Sequence, residues 1–586
     1  MKKFAVVFLM GVLMMGVNHA QGQVETWKQQ FQIAADSFID EVVLPYGPTN
    51  ATVLGYHQFD GQLEDYSEKS RTEQIAALKK YEKIFAAIDS DAKSLDPVAR
   101  GDRELLLGYI HSTLLTLEVI RPWEKNADTY SSGITNAAFV IMERKFATPD
   151  ERLRSLIARE KQMPSRLGQA RVNLKNPPRI YTEIAIEQLP GLVNFFENDV
   201  PAAFANAQDA GLKAEFAESN AAVIVALKSY QDWLQKDLLP RSNGDFRIGA
   251  ESFRKKLEYE EMVDIPLDKL LEIGRADLKK NQEHFNALAK ELEPTKDPRA
   301  VLEELGAMHP APDQLLNTFT ATFDGLVGFI RTHHIVTIPS DVRPVVEETP
   351  PFMRATTFAS MDTPGPFETH ATEAYFNVTL PDPGLKPAEV EDYMHAFNIG
   401  TVISTAVHEA YPGHYVQFLF LPQAPSRVRK IFGANTYVEG WAHYCEQMML
   451  DEGYGQPGAG AKDEREAKLL RLGQLQDALL RDARFVTGMQ MHMGKMSFDE
   501  AVAFYQKEGY QSKETAMVET KRGTSDPTNL YYTLGKLEIM KLREDLKKKE
   551  GAAFSLQKFH DDFLSQGTPP IKIVREAMLG DGTPTI

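Results

Sequence analysis

Apolar residues recur along most of the chain at spacings of three and four, the period of a helix that buries one face. One such stripe runs from Leu106 to Leu117, and another runs from Leu267 to Leu278 between Pro266 and Pro294. Alternating, strand-like runs are scarce. The pattern therefore predicts a mainly helical protein.

The segment 339–383 departs from this pattern. It holds eight prolines and a short β-like run, Ala374 to Thr379. Proline at this density is incompatible with a long helix and suits loops and edge strands. We predict a β-rich segment here that divides an N-terminal helical lobe, 23–338, from a C-terminal lobe, 339–586. A strand over 375–379 is also a candidate for pairing with an extended peptide.

The N-terminus has the layout of a secretory signal peptide. Lys2 and Lys3 precede an apolar run, Phe4 to Val17, and Ala20 supplies a small residue after it. The run is too short to span a bilayer comfortably, and a retained anchor is the alternative. No cysteine follows it, so lipid attachment at that point is not expected. We predict a signal peptide over 1–22 and a periplasmic or secreted protein without stable membrane insertion.

Composition narrows the function classes. The 586 residues include 65 basic and 82 acidic ones, a formal net charge of −17. A generic nucleic-acid binder carries the opposite sign, so no nucleic-acid partner is expected. Cys445 is the single cysteine, which excludes an intrachain disulfide and a cysteine-based zinc site. The oligomeric state is left open.

A helical stripe over 399–407 ends in His408 and Glu409, one turn before Pro412-Gly413. A zinc hydrolase needs such a pair, because the imidazole binds the ion and the carboxylate takes a proton from the metal-bound water. The usual second histidine comes four residues later, on the same helix face. Here His414 comes six residues later, about 240° around an ideal helix. His414 can join His408 only if the Pro-Gly step distorts the helix.

Glu439 is the candidate third ligand. It lies on a predicted helix over 437–444 that follows His408 closely enough to return beside it. A His/His/Glu set with one open position is the catalytic zinc arrangement. His443 shares the helix face of Glu439 and rivals His414 as a ligand. Glu439 and His443 are also consistent with an ordinary polar pair on a helix.

The run H-E-A-Y-P-G-H at 408–414, followed by E-G-W-A at 439–442, resembles the bacterial domain-of-unknown-function 885 family. Members of that family resemble gluzincin-type zinc metallopeptidases. The resemblance implies a mainly helical fold with a small β-sheet flanking a central cleft. It also implies His408, His414 and Glu439 as metal ligands, with Glu409 as the general base.

Two helper roles follow from the chemistry of amide hydrolysis. Negative charge builds on the carbonyl oxygen, and a donor aimed at that oxygen speeds the reaction. Tyr532 is the candidate donor, with Tyr531 as the second choice. Arg522 is a candidate for binding a substrate carboxylate. The alternatives are core aromatic residues for the tyrosines and a salt bridge for Arg522.

These observations favour an exported zinc-dependent metallopeptidase with a peptide substrate. One alternative keeps Zn²⁺ but changes the substrate to a non-peptide amide. The other is a non-catalytic binding protein in which Pro412 has abolished metal coordination. The sequence leaves open the native metal, the side-chain preference, and whether cleavage is internal or terminal.

Overall fold

The computed structural model describes residues 27–88, 96–350, 353–354 and 357–586. The predicted signal peptide, 1–22, lies outside these residues. Among the described helices, none combines the length and the apolar character that a membrane span requires.

Helices dominate the structure, and the predicted fold class is confirmed. The stripe from Leu106 to Leu117 lies mostly in α5, and the stripe from Leu267 to Leu278 lies in α13. Short 3-10 and π-helical segments extend several helices. The helices that precede the sheet are α1 (27–38), α2 (Leu44–Tyr46), α3 (Pro48–Leu54), α4 (Glu68–Ala87), α5 (Pro97–Leu115), α6 (Asp128–Glu143), α7 (Pro149–Glu160), α8 (Met163–Asn173), α9 (Arg179–Asn194), α10 (Val200–Ala203), α11 (Ala210–Trp233), α12 (Gly249–Glu261), α13 (Leu267–Leu292), α14 (Pro298–Gly306) and α15 (Leu315–Thr332).

A small sheet follows, within the proline-rich segment. Its strands are β1 (Val345–Glu348), β2 (Ala359–Asp362) and β3 (Tyr375–Val378), in the order β1-β3-β2. β1 runs parallel to β3, and β2 runs antiparallel to it. The predicted strand is confirmed as β3, but β3 is central, with both edges paired. The expectation that this strand pairs with a peptide is therefore wrong, and β2 is an edge strand instead.

The remaining helices follow the sheet, and two short strands, β4 (Gln456–Pro457) and β5 (Gly460–Ala461), form a small ladder among them. These helices are α16 (Pro387–Met394), α17 (Ile399–Glu409), α18 (His414–Phe420), α19 (Arg427–Ile431), α20 (Asn435–Asp451), α21 (Glu464–His492), α22 (Phe498–Lys507), α23 (Lys513–Ser525), α24 (Tyr531–Glu550), α25 (Leu556–Leu564) and α26 (Ile571–Leu579).

Two pairs of glycines let the central helices pack backbone against backbone. A Cβ on Gly440 of α20 would lie 2.6 Å from the Cα of Gly535 in α24. A Cβ on Gly400 of α17 would lie 2.8 Å from the Cα of Gly473 in α21. Side chains on these four helices are therefore brought unusually close to one another.

The largest hydrophobic cluster of the described residues joins α15, β3, α17, α20 and α24. Phe319, Phe376 and Trp441 are among its fully buried members. Its members from α15, together with Ile335 and Val336, come from before residue 338, and the others come from after it. The division into lobes at 338/339 stays a prediction.

Candidate metal centre

α17 carries the first two candidate residues on its last turn. Asn398 caps the start of the helix, because its side-chain oxygen accepts hydrogen bonds from the N–H groups of Gly400 and Thr401. Ala406 and Val407 anchor the helix in the core. His408 and Glu409 follow, both with less than a tenth of their surface exposed.

The helix ends at Glu409, and the interruption predicted at Pro412 is present. The Tyr411–Pro412 peptide is cis, and the carbonyl of Pro412 accepts a hydrogen bond from the Trp441 indole at 3.0 Å. A Cβ on Gly413 would lie 1.8 Å from the carbonyl oxygen of His408, so only glycine fits there. After this turn, α18 begins at His414. The ring centroid of His414 lies 4.9 Å from the ring centroid of His408.

His408, His414 and Glu439 meet at one point, and we call them the triad. Oε2 of Glu439 lies 3.4 Å from Nε2 of His408 and 3.4 Å from Nε2 of His414. The three ligand atoms lie within 4.8 Å of one another. His443 is not among these converging ligand atoms, and its Nδ1 lies 3.1 Å from Oε2 of Glu446.

Each triad histidine is oriented through its other ring nitrogen. Nδ1 of His408 lies 2.7 Å from a carboxylate oxygen of Glu446, and Nδ1 of His414 lies 3.3 Å from Oε1 of Gln417. The Gln417 amide nitrogen donates to backbone carbonyls of α20, which leaves its oxygen facing His414. These partners accept a hydrogen bond from Nδ1–H, so both Nε2 atoms are directed at Glu439.

The charges around the triad favour a cation. Burial opposes ionisation of Glu439, but His408 and His414 outweigh it and hold the pKa of that carboxyl well below its usual value. Burial by itself would lower the pKa of His408, whereas Glu439 and Glu446 raise it to about 10. Glu439 therefore draws positive charge to Nε2 of His408, and a metal ion would take the place of a proton there.

The triad fits a divalent metal. Oε2 of Glu439 is buried and has no hydrogen-bond partner among the described residues. Ligands of a tetrahedral zinc ion at 2.0–2.1 Å lie about 3.3 Å apart, close to the separations observed here. Three protein ligands leave one coordination position open, as in catalytic zinc sites. That these residues bind a metal stays a prediction.

The triad and Glu409 line a cavity of about 970 Å³, bounded on another side by Ala359, Ser360 and Met361 of β2. Burial raises the pKa of Glu409, against the opposing effect of His408 and His414. A carboxylate with a raised pKa is better suited to accept and return a proton near neutral pH.

The structure separates the two candidate tyrosines. Tyr532 lines the cavity, its ring centroid 6.3 Å from that of His408. Its hydroxyl oxygen accepts a hydrogen bond from Nη2 of Arg522 at 3.1 Å, which leaves its O–H free to donate elsewhere. The hydroxyl of Tyr531 donates to Asp526 at 2.7 Å, and Tyr531 is not among the described residues that line the cavity.

Arg522 also lines the cavity, and its Nε lies 3.8 Å from Asp526. It therefore has both the cavity position expected of a substrate-binding group and a weak salt bridge. Its role in binding a substrate carboxylate stays a prediction.

Sequence reasoning missed the residues behind the triad. Glu446 is buried and contacts His408, His443 and Arg481. It lies seven residues after Glu439, two turns along the same helix face, and that spacing is a signal that points to it. Arg481 carries no such signal, because it lies on the next helix, α21, and helix spacing does not say how two helices face each other.

The fold and this geometry define a class of protein: a mainly helical protein with a buried His/His/Glu triad on the wall of a large cavity. The chain belongs to the family described as bacterial protein of unknown function, DUF885, whose family model matches residues 48–578. The gluzincin-like character inferred from the motifs stays a prediction.

Two solved structures resemble the chain over nearly its whole length. One, from Shewanella oneidensis and described as "a putative lipoprotein of unknown function", is 28% identical with a TM-score of 0.75, and the match covers 94% of this chain and 99% of that one. The other, described as "the putative lipoprotein from Colwellia psychrerythraea", is 19% identical with a TM-score of 0.76, covering 95% and 98%. The second likeness shows the fold alone. No curated protein matches the chain.

Proposed function

We propose that this protein is an exported zinc-dependent hydrolase that cleaves peptide bonds. The observation that carries the proposal is the convergence of two imidazole nitrogens and one carboxylate oxygen beside a further glutamate, Glu409, on a cavity wall. This set of groups matches what metal-assisted hydrolysis requires: three ligands, an open position and a base.

Each residue has a defined task in this chemistry. A zinc ion held by His408, His414 and Glu439 would polarise the scissile carbonyl and make water a stronger nucleophile. Glu409 accepts the proton of the attacking water and returns it to the leaving amine. The hydroxyl of Tyr532 donates to the carbonyl oxygen as negative charge develops there.

The position of β2 favours a peptide over a non-peptide amide. β2 is an edge strand of the sheet and lines the same cavity as the triad. An edge strand presents backbone N–H and C=O groups that pair with an extended peptide backbone. The substrate would then lie along β2 with its scissile bond near Glu409.

Export is supported by two observations. The charged and apolar pattern of Lys2 to Val17 is that of a signal peptide. The two similar structures are described as putative lipoproteins. A lipid anchor on this chain is not part of the proposal, because its single cysteine, Cys445, is buried in α20.

The deciding experiment replaces the base and keeps the ligands. Zinc-loaded Glu409→Gln protein should retain the zinc stoichiometry of the wild type and lose peptide hydrolysis by about 10²-fold or more. The exposed Glu73 of α4, replaced by Gln, is the matched control and should leave the rate unchanged. A Glu409→Gln protein that binds zinc and cleaves peptides at the wild-type rate would overturn the proposal.

A substrate screen separates the alternatives. Zinc-loaded wild type that hydrolyses non-peptide amides but no peptide would establish an amidase. Wild type that takes up neither zinc nor another divalent transition metal at the triad would favour a non-catalytic protein.

A further inference from the structure

A second group of metal-binding side chains lies at the rim of the cavity, and we call it the rim cluster. It consists of His309, Glu391 and His395, whose candidate ligand atoms lie within 4.8 Å of one another. His309 follows α14, Glu391 lies in α16, and His395 comes directly after α16. His395 also lines the cavity. The chain therefore holds two His/His/Glu groups among its described residues.

The separations in the rim cluster are close to those that a single ion imposes. Nε2 of His309 lies 3.2 Å from Oε1 of Glu391, and Nε2 of His395 lies 3.9 Å from the same oxygen. Ligands of a tetrahedral zinc ion lie about 3.3 Å apart. A rotation of the exposed Glu391 side chain would close the remaining gap.

A backbone contact fixes the tautomer of His309. Its Nδ1 lies 2.8 Å from the carbonyl oxygen of Pro310. A carbonyl only accepts hydrogen bonds, so Nδ1 carries the hydrogen and Nε2 faces Glu391. Metal-binding histidines commonly donate a hydrogen bond from the ring nitrogen that does not bind the metal, and His408 and His414 also show this contact. A lone pair on Nε2 facing a carboxylate at 3.2 Å is repulsive unless a cation or a proton lies between them.

Gly306 makes room for the second ring. A Cβ on Gly306 would lie 2.9 Å from Nδ1 of His395 and 3.0 Å from its Cγ. The His395 ring therefore rests directly on the backbone at the end of α14. A Cβ at this position would force the ring to shift away from where it lies beside Glu391.

We propose that the rim cluster binds a second divalent transition-metal ion, of the zinc or cobalt class, through His309, Glu391 and His395. Imidazole and carboxylate ligands suit these ions, and water completes the coordination. The side chain of Glu391 is 59% exposed, compared with 23% for Glu439, so this site binds more weakly than the triad.

The ion would brace the start of the helix that carries His408. The carbonyl of Met308, next to His309, accepts a hydrogen bond from the N–H of Ile399 at 2.9 Å. Asn398, three residues after His395, caps α17. Joining His309 to His395 therefore closes a short loop around the N-terminus of α17.

Metal stoichiometry tests the proposal without reference to activity. Purified full-length protein is dialysed to equilibrium against zinc, and bound zinc is measured by elemental analysis. We expect two ions in the wild type, one in His395→Ala, one in Glu439→Gln, and none in the double variant. His111→Ala is the matched control and should keep two ions. His111 pairs with Glu82 but belongs to no three-ligand group among the described residues.

Two further measurements distinguish the loss of a metal ligand in His395→Ala from a folding defect in that variant. Gly306→Ala places a better helix former at the end of α14, yet it should weaken zinc binding at the rim cluster tenfold or more and leave the triad site unchanged. The second equivalent of zinc should raise the melting temperature of the wild type but not that of His395→Ala.

Two zinc ions retained in His395→Ala and in His309→Ala would overturn the proposal, as would a wild type whose single ion is lost in Glu439→Gln. A single ion that is lost in His395→Ala and kept in Glu439→Gln would support the rim cluster while refuting the proposed zinc hydrolase.

Discussion

Glu446 contacts the ring of His408 from behind the triad: its Oε1 lies 2.7 Å from Nδ1 of His408, opposite the nitrogen that faces Glu439. Its other oxygen lies 3.1 Å from Nδ1 of His443, and Arg481 lies 3.2 Å from Oε1. Burial opposes ionisation of Glu446, but Arg481 and the two histidines keep its pKa well below the usual value. One buried carboxylate therefore orients a candidate metal ligand and increases its basicity.

The first prediction concerns this outer contact. Glu446→Gln should weaken zinc binding at the triad by about 10–100-fold, because the amide still accepts from His408 but no longer carries a charge. Asp451→Asn, on the same helix and paired with Arg471 near the surface, is the control and should leave the affinity unchanged. Competition with a chromophoric chelator measures both values. Equal affinity in wild type and Glu446→Gln would contradict the prediction.

Helix periodicity identifies His408 and Glu439 as candidate ligands, and the family resemblance adds His414 in preference to His443. His408 and Glu439 each occupy a helix face set by neighbouring apolar residues. Pro412 predicts the helix interruption without which His414 could not approach His408. The same helix period places Glu446 on the face of Glu439, although Glu446 is not among the predicted site residues. The period of a helix identifies faces, and it does not say which face meets which helix.

Other features depend on pairings that no local pattern encodes. β3 is recognisable as a strand, but its central position depends on β1 and β2, which join it from elsewhere in the proline-rich segment. His309 and Glu391 are distant in sequence and meet only because α14 ends beside α16. Spacing rules act within one helix or strand, so such contacts are visible only in the fold.

The second prediction separates the two neighbouring tyrosines. Tyr532→Phe should lower kcat/KM for peptide hydrolysis by about 10²–10³-fold, the cost of removing a donor to the developing oxyanion. Tyr531→Phe is the matched control and should have a small effect, because its hydroxyl donates to Asp526. Steady-state kinetics on the zinc-loaded variants measures both. Equal losses in the two variants would remove Tyr532 from the proposed mechanism.

The third prediction concerns the contact between α20 and α24. A Cβ on Gly535 would lie 1.9 Å from the carbonyl oxygen of Thr436, a backbone atom that cannot move aside cheaply. Gly535→Ala should therefore lower the free energy of unfolding by about 3 kcal/mol or more. It should also weaken zinc binding, because Glu439 lies on the displaced helix.

Gly168 provides the control for this substitution. It lies inside α8, and a Cβ there would meet nothing within 4 Å. Gly168→Ala should raise the free energy of unfolding by about 0.5–1 kcal/mol, because alanine loses less backbone entropy in a helix. Urea denaturation measures both variants. A neutral Gly535→Ala would show that the two helices are not in backbone contact.

The fourth prediction concerns pH and a buried acid far from the triad. Burial raises the pKa of Glu160 in α7 to about 8, from an ordinary value of 4.5. Ser219 donates a hydrogen bond to one of its oxygens, and the other has no partner among the described residues. The folded protein therefore holds a proton on Glu160 at pH values where the unfolded chain has released it.

The sign of the effect follows from this difference in bound protons. Between pH 4.5 and 8 the folded state binds one more proton at Glu160 than the unfolded state, so stability falls as pH rises through this window. The slope is about 1.4 kcal/mol per pH unit.

Glu160→Gln, which keeps the shape but cannot ionise, should gain stability relative to wild type by that amount per pH unit and reach a plateau above pH 8. Urea denaturation at pH 5, 6, 7 and 8 measures the difference. The exposed Glu215, which pairs with Lys161, is the control when replaced by Gln and should follow the wild-type curve. A constant difference between Glu160→Gln and wild type would show that Glu160 is ionised in the folded protein throughout.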